Sequence, residues 1–320
     1  MLETPDERLR IDGARKRFGL TAGGEFGDAA LTGDVGNRRY FRVASPTTAS
    51  SRAPGALLVL YPAPHTEPQA NWAVIGAALA GAGLRIPALL DDAPELGASL
   101  VEDLGDRDLA SELASATPGE GRRLLDEAEE LLMTLRSISH DVARRNAPFD
   151  ADFFARELAH TRLWAFEGGG TQPLDGTQAA AWDAAARSLA EAAADPALTG
   201  DPVPTHRDFH GNNLMRASDG RLAPIDFQDL RMGPPDYDPV SLRFERSGER
   251  VPCDGSSYGE AVLLQRAWKV LGTFEKMLRA GREIYRPHRD AALRVLRTHT
   301  DAAGPFAELV SFLPATGVGV

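Results

Sequence analysis

Between positions 206 and 213 the chain reads His206-Arg207-Asp208-Phe209-His210-Gly211-Asn212-Asn213, and after a glycine-bearing turn it continues Ile225-Asp226-Phe227-Gln228-Asp229. The pattern is H-R-D-x-x-x-x-N followed by I-D-F-x-D. These residue types suit phosphoryl transfer, which asks a protein for little covalent chemistry. It needs a carboxylate to orient and deprotonate the attacking hydroxyl, and oxygen ligands that fix magnesium against the phosphates. The spacing predicts Asp208 as the catalytic base, Asn213 as an amide-oxygen ligand and Asp226 as the carboxylate bridging to Mg2+. His206 and Asp229 are read as structural support of the site. Asp229 either touches a second ion or caps a turn. His210 and Asn212 either line the acceptor side or hold the loop. The first half of the pattern alone is weak evidence; joined to I-D-F a short turn later it is specific.

The elements that must carry these residues follow from hydrophobic period and punctuation. Residues 38–43 and 56–61 are aromatic or aliphatic runs bounded by Gly, Pro and Ser, and read as strands joined by a small polar connection. Residues 69–82 place Trp72, Ile75 and Leu79 at helical spacing, with Gly83 as the stop. Residues 98–104 form another strand. Beyond it the composition turns to long Ala-, Leu- and Arg-rich segments, with helices expected at 121–137, 151–166, 178–193, 259–280 and 289–299. The chain is therefore expected to be α+β, with a mainly β N-terminal lobe over 1–104 and a larger, mainly helical lobe over 105–320. No internal repeat is visible, and the Gly-rich tail 315–320 is expected to fray.

At 320 residues, with 43% hydrophobic and 25% charged residues, the chain has the composition of a soluble globular protein. It lacks an apolar run long enough for a membrane span, and its start is polar, so a cytoplasmic protein without membrane contact is expected; a monomer is expected as well. A single cysteine, Cys253, excludes an internal disulfide and makes a poor zinc site. A formal charge of −11 argues against a nucleic-acid partner, because phosphate backbones are bound by basic surfaces. Only Lys16, Lys269 and Lys276 are lysines.

On these residues the chain resembles the aminoglycoside-phosphotransferase and choline-kinase family, whose fold is bilobal and protein-kinase-like, over nearly its whole length. The resemblance implies ATP as phosphoryl donor, Asp208 as base, and Asn213 and Asp226 as magnesium ligands. Gly233-Pro234-Pro235-Asp236-Tyr237-Asp238 is similar to a family segment in which the aspartate at Asp238 braces the catalytic loop; a helix N-cap there is compatible with that role. Residues 32–42 resemble the glycine-containing hairpin over the ATP phosphates, which implies nucleotide contacts at Gly33, Gly36, Asn37, Arg38 and Arg39. Glu102 and Leu104 stand where kinases have the hinge that hydrogen-bonds adenine.

One departure matters. The family usually carries a lysine on the strand corresponding to Leu57-Leu58-Val59-Leu60-Tyr61, and none is present here. Arg38 or Arg39 is expected to supply the missing charge, reaching back from the hairpin. One family branch also lacks that lysine: bacterial kinases that phosphorylate N-acetylmuramate and N-acetylglucosamine at the first carbon in cell-wall recycling. Arg38-Arg39-Tyr40-Phe41-Arg42, Glu102-Asp103-Leu104-Gly105-Asp106 and Ile225-Asp226-Phe227-Gln228-Asp229 resemble that branch. So does Gln265-Arg266-Ala267-Trp268-Lys269-Val270-Leu271-Gly272-Thr273-Phe274, a stretch outside the general kinase machinery that reads equally well as an amphipathic core helix. The resemblance implies an N-acetylated amino sugar as acceptor; an acceptor carboxylate calls for an arginine, for which Arg207 and Arg243 are candidates by nearness to the motifs. Two alternatives stay open: a kinase for a cationic acceptor such as an aminoglycoside or choline, which the acidic charge favours, and a catalytically silent nucleotide-binding relative.

Overall fold

The structure, a computed structural model, describes residues 5–20, 38–43, 55–63, 70–167, 174–244, 259–299 and 304–313. Gly33, Gly36, Asn37, Cys253, the 44–54 connection and the 315–320 tail lie outside them. In chain order the helices and strands are α1 (Pro5–Arg17), β1 (Arg39–Val43), β2 (Ala56–Leu60), α2 (Ala70–Gly81), β3 (Leu89–Ala93), β4 (Ala98–Glu102), α3 (Leu109–Ser115), α4 (Pro118–Arg136), α5 (His140–Ala143), α6 (Ala151–Thr161), α7 (Gly176–Ala194), α8 (Pro196–Thr199), β5 (Val203–Thr205), β6 (Leu214–Arg216), β7 (Leu222–Pro224), β8 (Arg231–Gly233), α9 (Tyr237–Phe244), α10 (Glu260–Arg279) and α11 (Arg286–His299). The chain divides into two compact units, Met1–Ala128 with Leu214–Gln228, and Glu129–Asn213 with Asp229–Val320. No helix among the described residues is long and apolar enough to cross a membrane.

The first unit is built on a four-stranded antiparallel sheet of order β1-β2-β4-β3. Phe41, Leu58 and Leu100 lie in register across β1, β2 and β4, and they share a core with Ile11, Ala14 and Phe18. The helix α1 is an element that the periodicity reading does not foresee. Its sequence is dominated by Arg and Asp, and its apolar buried stripe is marked by Ile11 and Ala14 with Phe18 just past its end, at i, i+3 and i+7. The strand β3 is likewise unforeseen: Asp91 and Asp92 depress its strand propensity, and its register shifts at a bulge between Leu89 and Asp91. At the end of α2, Gly83 takes φ 92° while Leu84 N–H bonds Leu79 O, the left-handed helix stop that the glycine suggested.

The second unit is helical, with α6, α7, α10 and α11 sharing one core. Within it Trp182 meets Trp268 edge-on at 5.0 Å, and Phe166 meets Trp182 at 4.9 Å. The helix expected at 151–166 is α-helical only to Thr161, then widens into a π turn over Arg162–Glu167. Where α10 crosses α6, a Cβ on Gly272 would fall 2.6 Å from Thr161 Cα, so glycine is what allows the approach. Thr161 Oγ1 then donates to Trp268 O at 2.9 Å, closing the crossing with a buried hydrogen bond. This crossing sets which α10 side chains point at the loop after β5.

Candidate active site

In the second unit, β5 pairs antiparallel with β8 and delivers the chain into the 206–213 loop. The loop is held from beneath by Asp238, which is 1% exposed. Its Oδ2 accepts from His206 N at 2.7 Å and its Oδ1 from Arg207 N at 3.0 Å. The bracing answers a conformational cost. Arg207 takes φ 85°, a left-handed value that non-glycine residues adopt at roughly 1–3 kcal/mol and that persists only where surroundings enforce it. His206 is fully buried with its ring edge-on to Phe209 at 5.8 Å, and Phe209 is itself fully buried, so the loop is anchored on both sides of Arg207 and Asp208.

Asp208 is 27% exposed in its side chain. Its Oδ1 accepts from Arg266 Nη2 at 3.1 Å and from Lys269 Nζ at 3.4 Å, both on α10. Among the described residues no protein group bonds its Oδ2, so one carboxylate oxygen is held and the other is open. Burial opposes ionisation, but Lys269, then Arg266 and Arg207, outweigh it and hold the carboxyl well below the usual range. Asn213 donates its Nδ2 to Asp208 O at 2.9 Å, which leaves its amide oxygen available as a ligand.

Around this pair runs a network of charges within the same unit. Arg207 bonds Asp229 at 3.1 Å, lies 3.7 Å from Glu157 and sits over the Phe153 ring. Gln265 donates to Glu157 at 3.0 Å. Arg231, 7% exposed, bonds Asp229 O and stacks on Phe153 at 4.7 Å. Asp229 thus pairs with two arginines. Arg207 is committed to acids on α6 and beside β8, and Arg243 pairs with Glu129. His210 is 5% exposed and its N–H bonds Asp208 O at 3.0 Å, so it helps to close the loop. Asn212 is half-buried.

The sequence reading places neither Arg266 nor Lys269 at the site. They contact a residue 58 and 61 positions earlier, which helical periodicity cannot show. The available signal was chemical: Gln265 and Arg266 are polar side chains within the run from Ala261 to Trp268 that is buried throughout, and Lys269 follows it directly.

In the first unit, β6 and β7 form a hairpin that leads to Asp226. Asp226 has φ 63°; it and Arg207 are the non-glycine residues with positive φ among those described. Its Oδ1 accepts from Arg38 Nη1 at 3.1 Å and from Gln228 Nε2 at 2.8 Å, while its side chain is 45% exposed. Burial opposes the charge of Arg38, but Tyr40, Asp226 and Tyr61 more than offset it and raise its pKa, so Arg38 stays a cation. Arg39 is turned elsewhere, lying 3.5 Å from Glu7 and over the Phe41 ring.

At the end of β4, the Glu102 side chain points inward and is tied to Arg85 and to Ala88 N–H at 3.1 Å. Arg42 clamps Asp103, and Gly105 N–H bonds the same carboxylate at 2.8 Å. Leu104 N–H has no backbone partner among the described residues, which leaves a donor on the segment where a hinge is expected.

The donor chemistry fits a hard divalent cation. In the second unit Asn213 presents an amide oxygen, and in the first unit Asp226 presents an exposed carboxylate; each is by itself a hard oxygen donor of the type magnesium takes beside substrate phosphates. Among the described residues no group of three or more His, Cys, Asp or Glu side chains is arranged to hold a metal ion.

Residues 29–268 match the model of the phosphotransferase enzyme family known as APH. The chain is 29% identical over 65% of its length to N-acetylmuramate/N-acetylglucosamine kinase of Pseudomonas aeruginosa, and this match spans 57% of that relative. It is 26% identical over 88% of its length to the enzyme of the same name from Neisseria meningitidis serogroup B, covering 89% of it. Among solved structures, aminoglycoside phosphotransferase APH(4)-Ia, in a ternary complex with ADP and hygromycin B, matches 92% of this chain and 98% of its own with a TM-score of 0.60 at 16% identity. That likeness shows the fold to be α+β and protein-kinase-like. With the family match running across three quarters of the sequence, the chain belongs to the APH phosphotransferase enzyme family.

Proposed function

We propose that this phosphotransferase moves the γ-phosphoryl group of ATP to the anomeric hydroxyl of an N-acetylated amino sugar, N-acetylmuramate or N-acetylglucosamine, giving the sugar 1-phosphate. The observation that carries this reading is the charge around Asp208. Two cations of α10, Arg266 and Lys269, lie directly on Asp208 Oδ1, in a chain whose overall charge is −11. Such a surrounding repels an ammonium or trimethylammonium acceptor and suits a neutral or anionic one. The same two relatives that share the family carry an amino-sugar kinase name, which supports the acceptor class.

In the mechanism, Asp208 Oδ2 accepts a hydrogen bond from the anomeric hydroxyl, orients its oxygen for in-line attack and takes its proton. An anomeric hydroxyl is more acidic than an ordinary alcohol, so a carboxylate of low basicity suffices. Asn213 and Asp226 are the residues that would hold magnesium, and the ion would supply charge neutralisation on the donor phosphates. The Leu104 N–H and the backbone beside Glu102 receive adenine. Purified protein with Mg-ATP is expected to turn over N-acetylmuramate or N-acetylglucosamine and leave choline and hygromycin B unchanged, the product being an acid-labile phosphate. Turnover confined to choline or hygromycin B overturns the proposal, and Mg-ATP binding without turnover of any acceptor points to a silent relative.

Arg38 stands in for the absent strand lysine because it is the arginine that reaches Asp226. Arg38→Ala is expected to raise the KM for ATP about tenfold, on the order of 1.4 kcal/mol. Arg39→Ala, at a side chain turned to Glu7 and Phe41 instead, should change it less than threefold. Equal effects of the two substitutions in steady-state kinetics would remove Arg38 from this role.

A further inference from the structure

The two α10 cations that meet Asp208 differ in how they are held. Arg266 is 2% exposed, donates from Nη1 to the Tyr237 hydroxyl at 2.9 Å and from Nη2 to Asp208 at 3.1 Å, and lies over the Tyr237 ring at 5.0 Å. Burial pushes the Tyr237 hydroxyl up, so it remains a neutral acceptor for that bond. Arg266 is therefore a fixed counter-charge, and on its own it neutralises the Asp208 carboxylate. Lys269, one turn further along the same helix, is 16% exposed in its side chain. Its ammonium has three donors and contacts Asp208 Oδ1 with one, at a long 3.4 Å.

A second cation on an already neutralised carboxylate is hard to explain as structure alone. A largely buried lysine side chain costs rotamer entropy and desolvation, and Arg266 has already met the charge. The geometry points to Lys269 as a catalytic residue that donates to the acceptor oxygen during transfer. This inference rests on the reading of Asp208 as the base. Both cations lie on Oδ1, so Oδ2 is the oxygen left for the acceptor hydroxyl. A hydroxyl bonded to Oδ2 at about 2.7 Å lies within a rotamer change of the Lys269 ammonium.

As the acceptor oxygen attacks the γ-phosphorus, its bond to phosphorus forms and the bond between phosphorus and the β,γ-bridging oxygen breaks. ADP carries away that electron pair. The acceptor proton passes to Asp208 Oδ2 and then to solvent. Lys269 neither gains nor loses a proton. It places a full positive charge beside the oxygen as the proton leaves for Asp208, stabilising the negative charge that the oxygen carries before its bond to phosphorus is complete. The assignment gives a lysine to the acceptor side of a chain that lacks the strand lysine of the donor side.

The test is steady-state kinetics of the full chain with Mg-ATP and N-acetylglucosamine, comparing Lys269→Met, Lys269→Arg, Lys269→Ala and Asp208→Asn. Lys269→Met is expected to lower kcat about 30- to 100-fold with the KM for ATP changed less than twofold. Lys269→Arg should recover part of that loss, and added ethylammonium should raise the turnover of Lys269→Ala, a rescue that a purely structural role would not give. A Lys269→Met variant within threefold of wild-type kcat, beside an inactive Asp208→Asn, overturns the role of Lys269 and leaves the base in place. Wild-type turnover by Asp208→Asn overturns both.

Discussion

Asp208→Asn is expected to lower kcat by a factor on the order of 10²–10⁴ while leaving the KM for ATP nearly unchanged. The amide keeps the shape of the side chain but cannot accept the acceptor proton. It also leaves Arg266, 2% exposed, and Lys269 facing each other without their shared counter-ion. A stability loss should accompany the kinetic one, of about 1–3 kcal/mol, less than for a fully buried pair because Asp208 is 27% exposed. The sign with pH follows from the depressed pKa. The ionised carboxylate contributes stability that is fully present above the unfolded value of about 3.9 and is lost as pH falls below it toward the folded pKa. Thermal unfolding of the wild type and the variant should therefore differ at pH 7 and converge in strong acid. For the same reason, ionisation of Asp208 should not limit turnover between pH 5 and 7, as a pH profile of kcat would show. A variant with wild-type kcat would remove Asp208 from the mechanism.

What could be read from the sequence depended on where the determining contacts lie. Helices such as α4, α7 and α10 declared themselves through local apolar period, and the structure places their ends within a few residues of the sequence-based limits. The strands β1, β2 and β4 were legible because short aromatic or aliphatic runs are cut off by Gly and Pro. By contrast, α1 gains its helicity from three apolar side chains docking on a sheet, a tertiary contact that its own polar composition hides. At the site, the loop motif identified Asp208, Asn213 and Asp226 by type and spacing. The polar residues of α10 were visible as a pattern, but their direction depends on the Gly272–Thr161 crossing, which no local signal encodes. The choice between Arg38 and Arg39 was also open in the sequence. Adjacent residues of an extended segment point to opposite faces, and only the fold shows that Arg38 is the one turned to Asp226.

Asp238→Asn is expected to damage both stability and turnover, although the side chain touches no reacting group. Each carboxylate oxygen accepts one backbone N–H, from His206 and from Arg207, in a site that is 1% exposed. An asparagine can replace one acceptor, but its NH2 then meets the other N–H, leaving a buried donor unsatisfied at about 1–3 kcal/mol. The unmet donor lies at the segment that must keep Arg207 at φ 85°. Relaxing that angle tilts Asp208 away from Arg266 and Lys269, so a fall in kcat of roughly a hundredfold is expected from misplacement alone. The pH response should be opposite in sign to that of Asp208. Burial, opposed by His206 and the two N–H bonds, raises the Asp238 pKa above its ordinary value. Its ionised form is therefore a net cost to the fold above the folded pKa, and the cost disappears as pH falls below the unfolded value. Asp238→Asn removes that cost but loses the bracing geometry, so the outcome separates charge from geometry. A lower unfolding temperature together with faster proteolysis within residues 206–213 indicates that geometry dominates, as expected. An unfolding temperature at or above that of the wild type, with kcat retained, would mean that the loop holds its strained residue without Asp238.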